Sequence, residues 1–274
     1  MQGEMTQGGT VPNAKIWLIG GTSDSRILAQ ALVEAQIPTQ VTITTAAGRS
    51  LYPTEAGLGV TIGRLEPAQM PHFIKAESIA LVLDASHPFA TVVSHGAIAA
   101  AQTCGIPYLR YERATLSEQM ASDSSLVHRI PHCPTTIADL PLTDHRALLV
   151  LGYRPLPEFR PWHDRSTLFA RILPSEIALK TALESGFQPD RLIALRPPVS
   201  LALEMALWQQ WQISVVIAKE SGQAGGEDVK RQVAAQLGVP LWLLQRPTVV
   251  YPAVTGDVAV AIDRCRLELL QYPS

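Results

Sequence analysis

The sequence predicts an α/β protein of two similar-sized domains, each a mainly parallel sheet flanked by helices, with the cleft between them as the place for a ligand. Three observations predict it. Short apolar or β-branched runs alternate with stretches of helical spacing almost from the start of the chain. The alternation breaks once, between Arg113 and Leu142, where Ser, Asp, Pro and His are scattered, and then resumes. The chain has 274 residues, which suits one large or two medium domains at roughly 100–200 residues each.

Each element has its own reason. Lys15–Gly20 (KIWLIG) is a short apolar run, the mark of a strand buried on both faces. Thr22–Gln36 carries Ile27, Leu28, Ala31, Leu32 and Ala35 at helical spacing. Pro38–Thr45 is β-branched and reads as a second strand, Gly59–Gly63 as a short third, and Pro67–Ala76 as a weak helix. Ile79–Ala85 is another apolar strand, Ala90–Cys104 a helix of small residues, and Tyr108–Tyr111 a further strand. Past the break, strands are expected at Ala147–Leu151, Leu168–Leu173, Arg191–Leu195, Ile213–Ala218 and Leu241–Leu244. Helices are expected at Ser175–Ser185, Ser200–Gln210, Glu227–Leu237 and Asp257–Leu270. Alternation of this kind implies right-handed crossovers, hence two Rossmann-like domains. The expected division is a disordered tail over 1–14, a first domain over 15–113, a connector over 114–145 and a second domain over 146–274.

Composition excludes several classes. Hydrophobic residues make up 47% and charged residues 17%, with a net charge of −2, so the chain is neither disordered nor the strongly basic protein that nucleic acid selects. No run of about 18 apolar residues is present, so no membrane span is expected. Cys104, Cys133 and Cys265 are widely spaced with no C-x-x-C, which predicts neither a metal site nor disulfides. A soluble cytoplasmic protein, monomeric or a small homo-oligomer, is the expectation.

Three segments can carry chemistry. The first strand runs through Gly20-Gly21-Thr22-Ser23-Asp24-Ser25-Arg26 into a helix. A glycine turn at a helix N-terminus lets backbone amides approach a phosphate, with the hydroxyls of Thr22 and Ser23 beside them. The alternative is a tight turn capped by Ser23 or Asp24. After the second strand, where an NAD site places an acid for the ribose hydroxyls, stands Thr44-Thr45-Ala46-Ala47-Gly48-Arg49. An arginine there suits a 2′-phosphate, which favours NADPH; a solvated loop arginine is the alternative. The fourth strand runs into Asp84-Ala85-Ser86-His87-Pro88-Phe89-Ala90, with Pro88 suited to start the next helix and Asp84 or His87 to cap it.

These residues resemble the precorrin-6A reductases, including the cobalt-precorrin-6A reductases, of cobalamin biosynthesis. The resemblance rests on Gly20-Gly21-Thr22 with Arg26, Ala47-Gly48-Arg49, Asp84–Ala90 and Gly105–Arg113. It continues in Lys219-Glu220-Ser221-Gly222 with Lys230, and in Gln245-Arg246-Pro247. Ser86 stands where the family has threonine, Arg196–Val199 where it has a Gly-Pro-Phe turn, and Gln223 where a small residue is usual. The resemblance implies NADPH-dependent reduction of one ring double bond of a tetrapyrrole. Gly20, Gly21, Thr22, Ser23, Arg26, Arg49, Ser86 and His87 would hold the cofactor. Arg110, Arg113, Lys219, Ser221, Gly222 and Arg246 would hold the substrate's carboxylates, with Arg171 nearby. His87 and Glu220 are the candidate proton donors. Without the resemblance, the Lys219–Gly226 stretch reads first as a flexible loop without a ligand, and second as an anion cradle of backbone amides. An NADP-dependent reductase of another small substrate and a non-catalytic NADP-binding sensor are the competing functions. A methyltransferase is disfavoured by the missing acid after the second strand.

Overall fold

The computed structural model describes residues 14–116, 125–131, 137 and 139–272, so Cys133 and the expected 1–14 tail lie outside the described residues, except for Ala14, which is buried. The chain forms two compact units, one of Met1–Arg113 with Thr248–Ser274, the other of Ala114–Pro247.

The first unit holds β1 (Lys15–Ile19), β2 (Thr39–Ile43), β3 (Leu58–Ile62), β4 (Ile79–Asp84), β5 (Tyr108–Tyr111) and β12 (Val254–Thr255). They form one parallel sheet in the order β12-β5-β4-β1-β2-β3. Helix α1 (Ser23–Glu34) follows β1, and α2 (Met70–Ala76) and α3 (Thr91–Cys104) flank β4. Both faces of the central strands are covered, which is why β1, β2 and β4 are apolar or β-branched apart from Lys15, Gln40 and Asp84. Leu28 and Leu32 of α1 are fully buried against β1 and β2, each contributing about 1.5–3 kcal/mol. On the other face, α3 lies so close to α2 that a Cβ on Gly96 would sit 3.0 Å from the sulfur of Met70. Helix α3 ends at Gly105, whose φ of +67° closes the helix in the left-handed region.

The second unit holds β6 (Val127–Ile130), β7 (Arg146–Val150), β8 (Thr167–Ile172), β9 (Leu192–Ala194), β10 (Val215–Lys219) and β11 (Leu241–Leu244). Its parallel order is β6-β11-β10-β7-β8-β9. Helices α4 (Glu176–Glu184), α5 (Leu201–Gln210) and α6 (Glu227–Leu237) make the crossovers, and Trp208, Val233 and Ala234 fill the core between α5, α6 and the sheet. Each sheet thus has a reversal of strand order at its centre, β1/β4 in one and β7/β10 in the other, with a sixth strand at the edge beyond β5 or β11.

The expected division of the chain is corrected at two points. Thr248–Ser274 belongs to the first unit and not to a 146–274 domain. β12 pairs with β5, and α7 (Val258–Gln271) buries Ala261, Ile262 and Cys265 in the first core. The expected 114–145 connector contains β6, which pairs along β11 from Val127 to Ile130. Its sequence, VHRI, is half exposed and carries too little apolar pattern to announce a strand.

Candidate active site

In an open parallel sheet, ligands bind past the carboxyl ends of the strands where the order reverses. In the first unit that point lies past β1 and β4. Thr22 caps α1: its Oγ1 accepts the Ser25 amide at 3.0 Å and donates to the Ala85 carbonyl at 2.8 Å. Ser25 Oγ accepts the Thr22 amide in return at 3.0 Å. The cap thereby ties the β1 turn to the β4 turn. Gly21 adopts φ +102°, and a Cβ there would meet nothing within 4 Å, so the turn faces open space. Among the described residues, the amides of Ser23 and Asp24 have no acceptor within the protein. They open a 12-residue helix, where partial positive charge collects. Ser23 and Arg26 are exposed on that first turn.

Gly20 has a different reason to be glycine. A Cβ on it would lie 2.3 Å from Tyr52 Oη. The expectation that Gly20 clears a path for phosphate is therefore corrected: the space is taken by Tyr52.

No acid follows β2; Thr44 and Thr45 are exposed there. The 3₁₀ turn Ala46–Leu51 brings Arg49 forward, and its Nη1 donates to the carbonyls of Tyr52 at 2.9 Å and Pro53 at 3.5 Å. Backbone oxygens hold this half-buried guanidinium, and among the described residues no carboxylate pairs with it. Its charge is oriented by these oxygens and not neutralised by them.

At the end of β4, Asp84 is fully buried. Oδ1 accepts the Ser86 amide at 2.9 Å and Arg110 Nη1 at 3.1 Å; Oδ2 accepts the hydroxyls of Ser94 and Tyr108, each at 2.6 Å. Arg110 also donates to Ser86 Oγ at 3.2 Å and to Glu112 at 2.9 Å. Burial alone would lower the Arg110 pKa, but Asp84 and Glu112 more than offset it and the guanidinium stays charged. Burial and the Asp84 carboxylate push the Tyr108 phenol well above its ordinary value. The expectation of Arg110 as a substrate ligand is corrected: it is 1% exposed and its charge serves Asp84. Arg113, also expected at substrate, pairs with Asp24 in the first turn of α1 and moderates that carboxylate beside the open amides.

Ser86 is buried within this network, whereas His87 is exposed. His87 Nδ1 accepts the Phe89 amide at 3.2 Å, so the neutral ring carries its proton on Nε2. Pro88 does not open the helix. It sits in the preceding turn, closed by the Ala90 amide on the His87 carbonyl at 2.7 Å, and α3 begins at Thr91.

The second unit repeats the arrangement past β7 and β10. Lys219 ends β10, and burial, with the charge of nearby Arg154, brings its ammonium down to about 8. Arg154 follows β7, so each central strand leads to a cation; sequence reasoning missed it, although Gly152-Tyr153-Arg154 directly follows an expected strand. The Gly222 amide donates to Glu227 Oε2 at 2.8 Å, and Lys230 Nζ donates to the carbonyls of Gly225 and Gly226 at 2.7 and 2.9 Å. Ser221 packs against Gly225, where a Cβ would lie 2.0 Å from its Oγ. Arg246 Nε donates to the Glu220 carbonyl at 3.2 Å, placing Arg246 beside the loop.

Two expectations are corrected here. Glu220 is 1% exposed with its carboxylate 2.9 Å from Arg129, so it is closed off as a proton donor. Arg171 pairs with Glu204, which also accepts from Trp208 Nε1 at 3.0 Å, and serves the core. Lys219, Ser221, Gly222 and Arg246 do come together.

Fold and geometry define a class: a doubly wound α/β protein with a dinucleotide-type turn in one unit and a cationic loop in the other. The family model described as "Precorrin-6x reductase CbiJ/CobK" matches residues 15–266. A cobalt-precorrin-6A reductase of Synechocystis sp. is 43% identical over 256 residues, 93% of this chain and 97% of that protein. One from Salmonella typhimurium is 35% identical, covering 88% of this chain and 90% of that protein. A solved structure titled "CobK precorrin-6A reductase" aligns at a TM-score of 0.75 and 24% identity over 93% of this chain and 97% of its own, the same fold. The chain belongs to the precorrin-6x reductase family.

Proposed function

We propose that this protein is an NADPH-dependent oxidoreductase acting on a CH–CH group, which reduces one ring double bond of a precorrin-6A macrocycle in cobalamin biosynthesis. The observation that carries this is membership of the reductase family across residues 15–266, through both units. The more similar of the relatives compared are named for the cobalt form, and cobalt-precorrin-6A is taken as the substrate.

The residues of the first unit fit NADPH. Open space at Gly21 and, among the described residues, two amides without a protein acceptor at Ser23 and Asp24 and an arginine without a carboxylate partner suit a diphosphate and a 2′-phosphate. When bound, NADPH supplies the hydride. Arg49 and the α1 amides bind and orient, and the Asp84–Arg110 network holds Ser86 and His87 rigidly past β4. The proton that completes the new CH–CH group comes from solvent, and the neutral His87 ring, exposed past β4, orients by donating a hydrogen bond from Nε2. In the second unit Lys219 and Arg246 meet substrate carboxylates, and the clamped Ser221–Gly226 loop fixes their placement.

The test is anaerobic NADPH oxidation by purified protein with cobalt-precorrin-6A or its cobalt-free counterpart. Consumption of one NADPH per macrocycle with the cobalt form is expected. No oxidation with either would refute the reading, and oxidation with the cobalt-free form alone would overturn the substrate.

A further inference from the structure

We propose that Tyr52 is a positioning residue that sets the glycine turn in register with Arg49, and so governs both the affinity and the 2′-phosphate selectivity of the cofactor site. The proposal rests on reading the first unit as the NADPH site. Tyr52 is 4% exposed and packs in the core beside β1 and β2. Its Oη accepts the Gly21 amide at 2.7 Å and lies 2.7 Å from Ser25 Oγ. Ser25 Oγ already donates to the Thr22 carbonyl at 2.8 Å, so the phenol donates to Ser25. One hydroxyl therefore bridges the glycine turn and the first turn of α1.

The backbone of the same residue holds the arginine. The Tyr52 amide donates to the Arg49 carbonyl at 3.2 Å, while Arg49 Nη1 donates to the Tyr52 carbonyl at 2.9 Å. Both phosphate-binding features thus hang on one buried residue, the glycine turn on its hydroxyl and Arg49 on its backbone. The fit leaves no slack, because a Cβ on Gly20 would meet Oη at 2.3 Å and Cζ at 3.1 Å. With its amide bound to Tyr52, Gly21 serves through conformation, and phosphate contact falls to Ser23 and Asp24.

NADPH and NADH titrations on folded wild type, Tyr52→Phe, Tyr52→Ala, Gly20→Ala and the Gly20→Ala/Tyr52→Phe double variant test this. Tyr52→Phe keeps the packing and loses the hydroxyl, so both affinities should fall about tenfold at an unchanged ratio. Tyr52→Ala should also bring the NADPH/NADH ratio toward one. The double variant should recover affinity relative to Gly20→Ala, since removing Oη relieves the clash. Wild-type affinity in Tyr52→Phe would reduce the residue to packing and overturn the proposal. A wild type that binds neither nucleotide would instead sink the reading of the first unit.

Discussion

Arg49 and Lys219 are two cations set in different surroundings past the carboxyl ends of their sheets. Arg49 is held by carbonyl oxygens, so its charge is oriented without being neutralised. Arg49→Ala should cost NADPH binding about 1.5–3 kcal/mol, the scale of a charge-assisted bond, and leave NADH binding unchanged in parallel titrations. Lys219 is weakened by burial and by Arg154, which brings its pKa from 10.5 to about 8. The ammonium is present below that value and lost as pH rises through it. KM for the polyanionic substrate should therefore climb above pH 8, and Lys219→Arg should flatten the rise; an identical profile in that variant would return Lys219 to a structural role. Linkage has the opposite sign for folding. The folded state releases this proton before the unfolded state does, so its stability rises from about pH 8 to 10.5.

At the scale of elements, the glycine-rich loop after β10 is rigid because the first turn of α6 grips it. Glu227 is fully buried, accepts the Gly222 amide through Oε2 and pairs with Arg231 through Oε1 at 2.9 Å. Lys230, 2% exposed, adds two bonds to the Gly225 and Gly226 carbonyls. Glu227→Ala removes the acceptor of the Gly222 amide and a buried carboxylate partner of Arg231, a change that costs about 1–3 kcal/mol. Urea unfolding should register that loss, and turnover should fall before the variant unfolds. A loss under 1 kcal/mol would show the loop to be held by other contacts. Apart from the resemblance, the sequence reads this stretch first as a flexible loop, because the grip depends on Glu227 and Lys230 folding back onto residues that precede them.

For the whole molecule, the path of the chain makes the C-terminal segment part of the N-terminal unit. Ending the chain at Pro247 would delete β12 and α7, open the core at Ala261, Ile262 and Cys265, and remove Tyr251 from over the Arg110 guanidinium, 5.3 Å from its ring. The truncated protein should lose NADPH binding and one cooperative unfolding transition, while the second unit keeps its own. A fragment of residues 114–247 should fold alone, and one of residues 146–274 should not, by circular dichroism and urea titration. A cooperative 146–274 fragment would refute the assignment of α7.

The sequence by itself determined the α/β class, nearly every strand and helix, and the glycine turn that opens the first helix. All of these are written in local periodicity and in residues adjacent along the chain, which no distant contact can disguise. Tertiary structure alone decided which cations remain available. Arg110 and Arg113 share one stretch with the family's motif, yet Asp84, 26 residues earlier, buries the charge of Arg110, and Asp24, 89 residues earlier, takes that of Arg113. It also decided the unit to which residues 248–274 belong and the reason Gly20 is glycine. Each depends on partners far apart in sequence, brought together by sheet register and helix packing, and a one-dimensional pattern carries no record of such pairs.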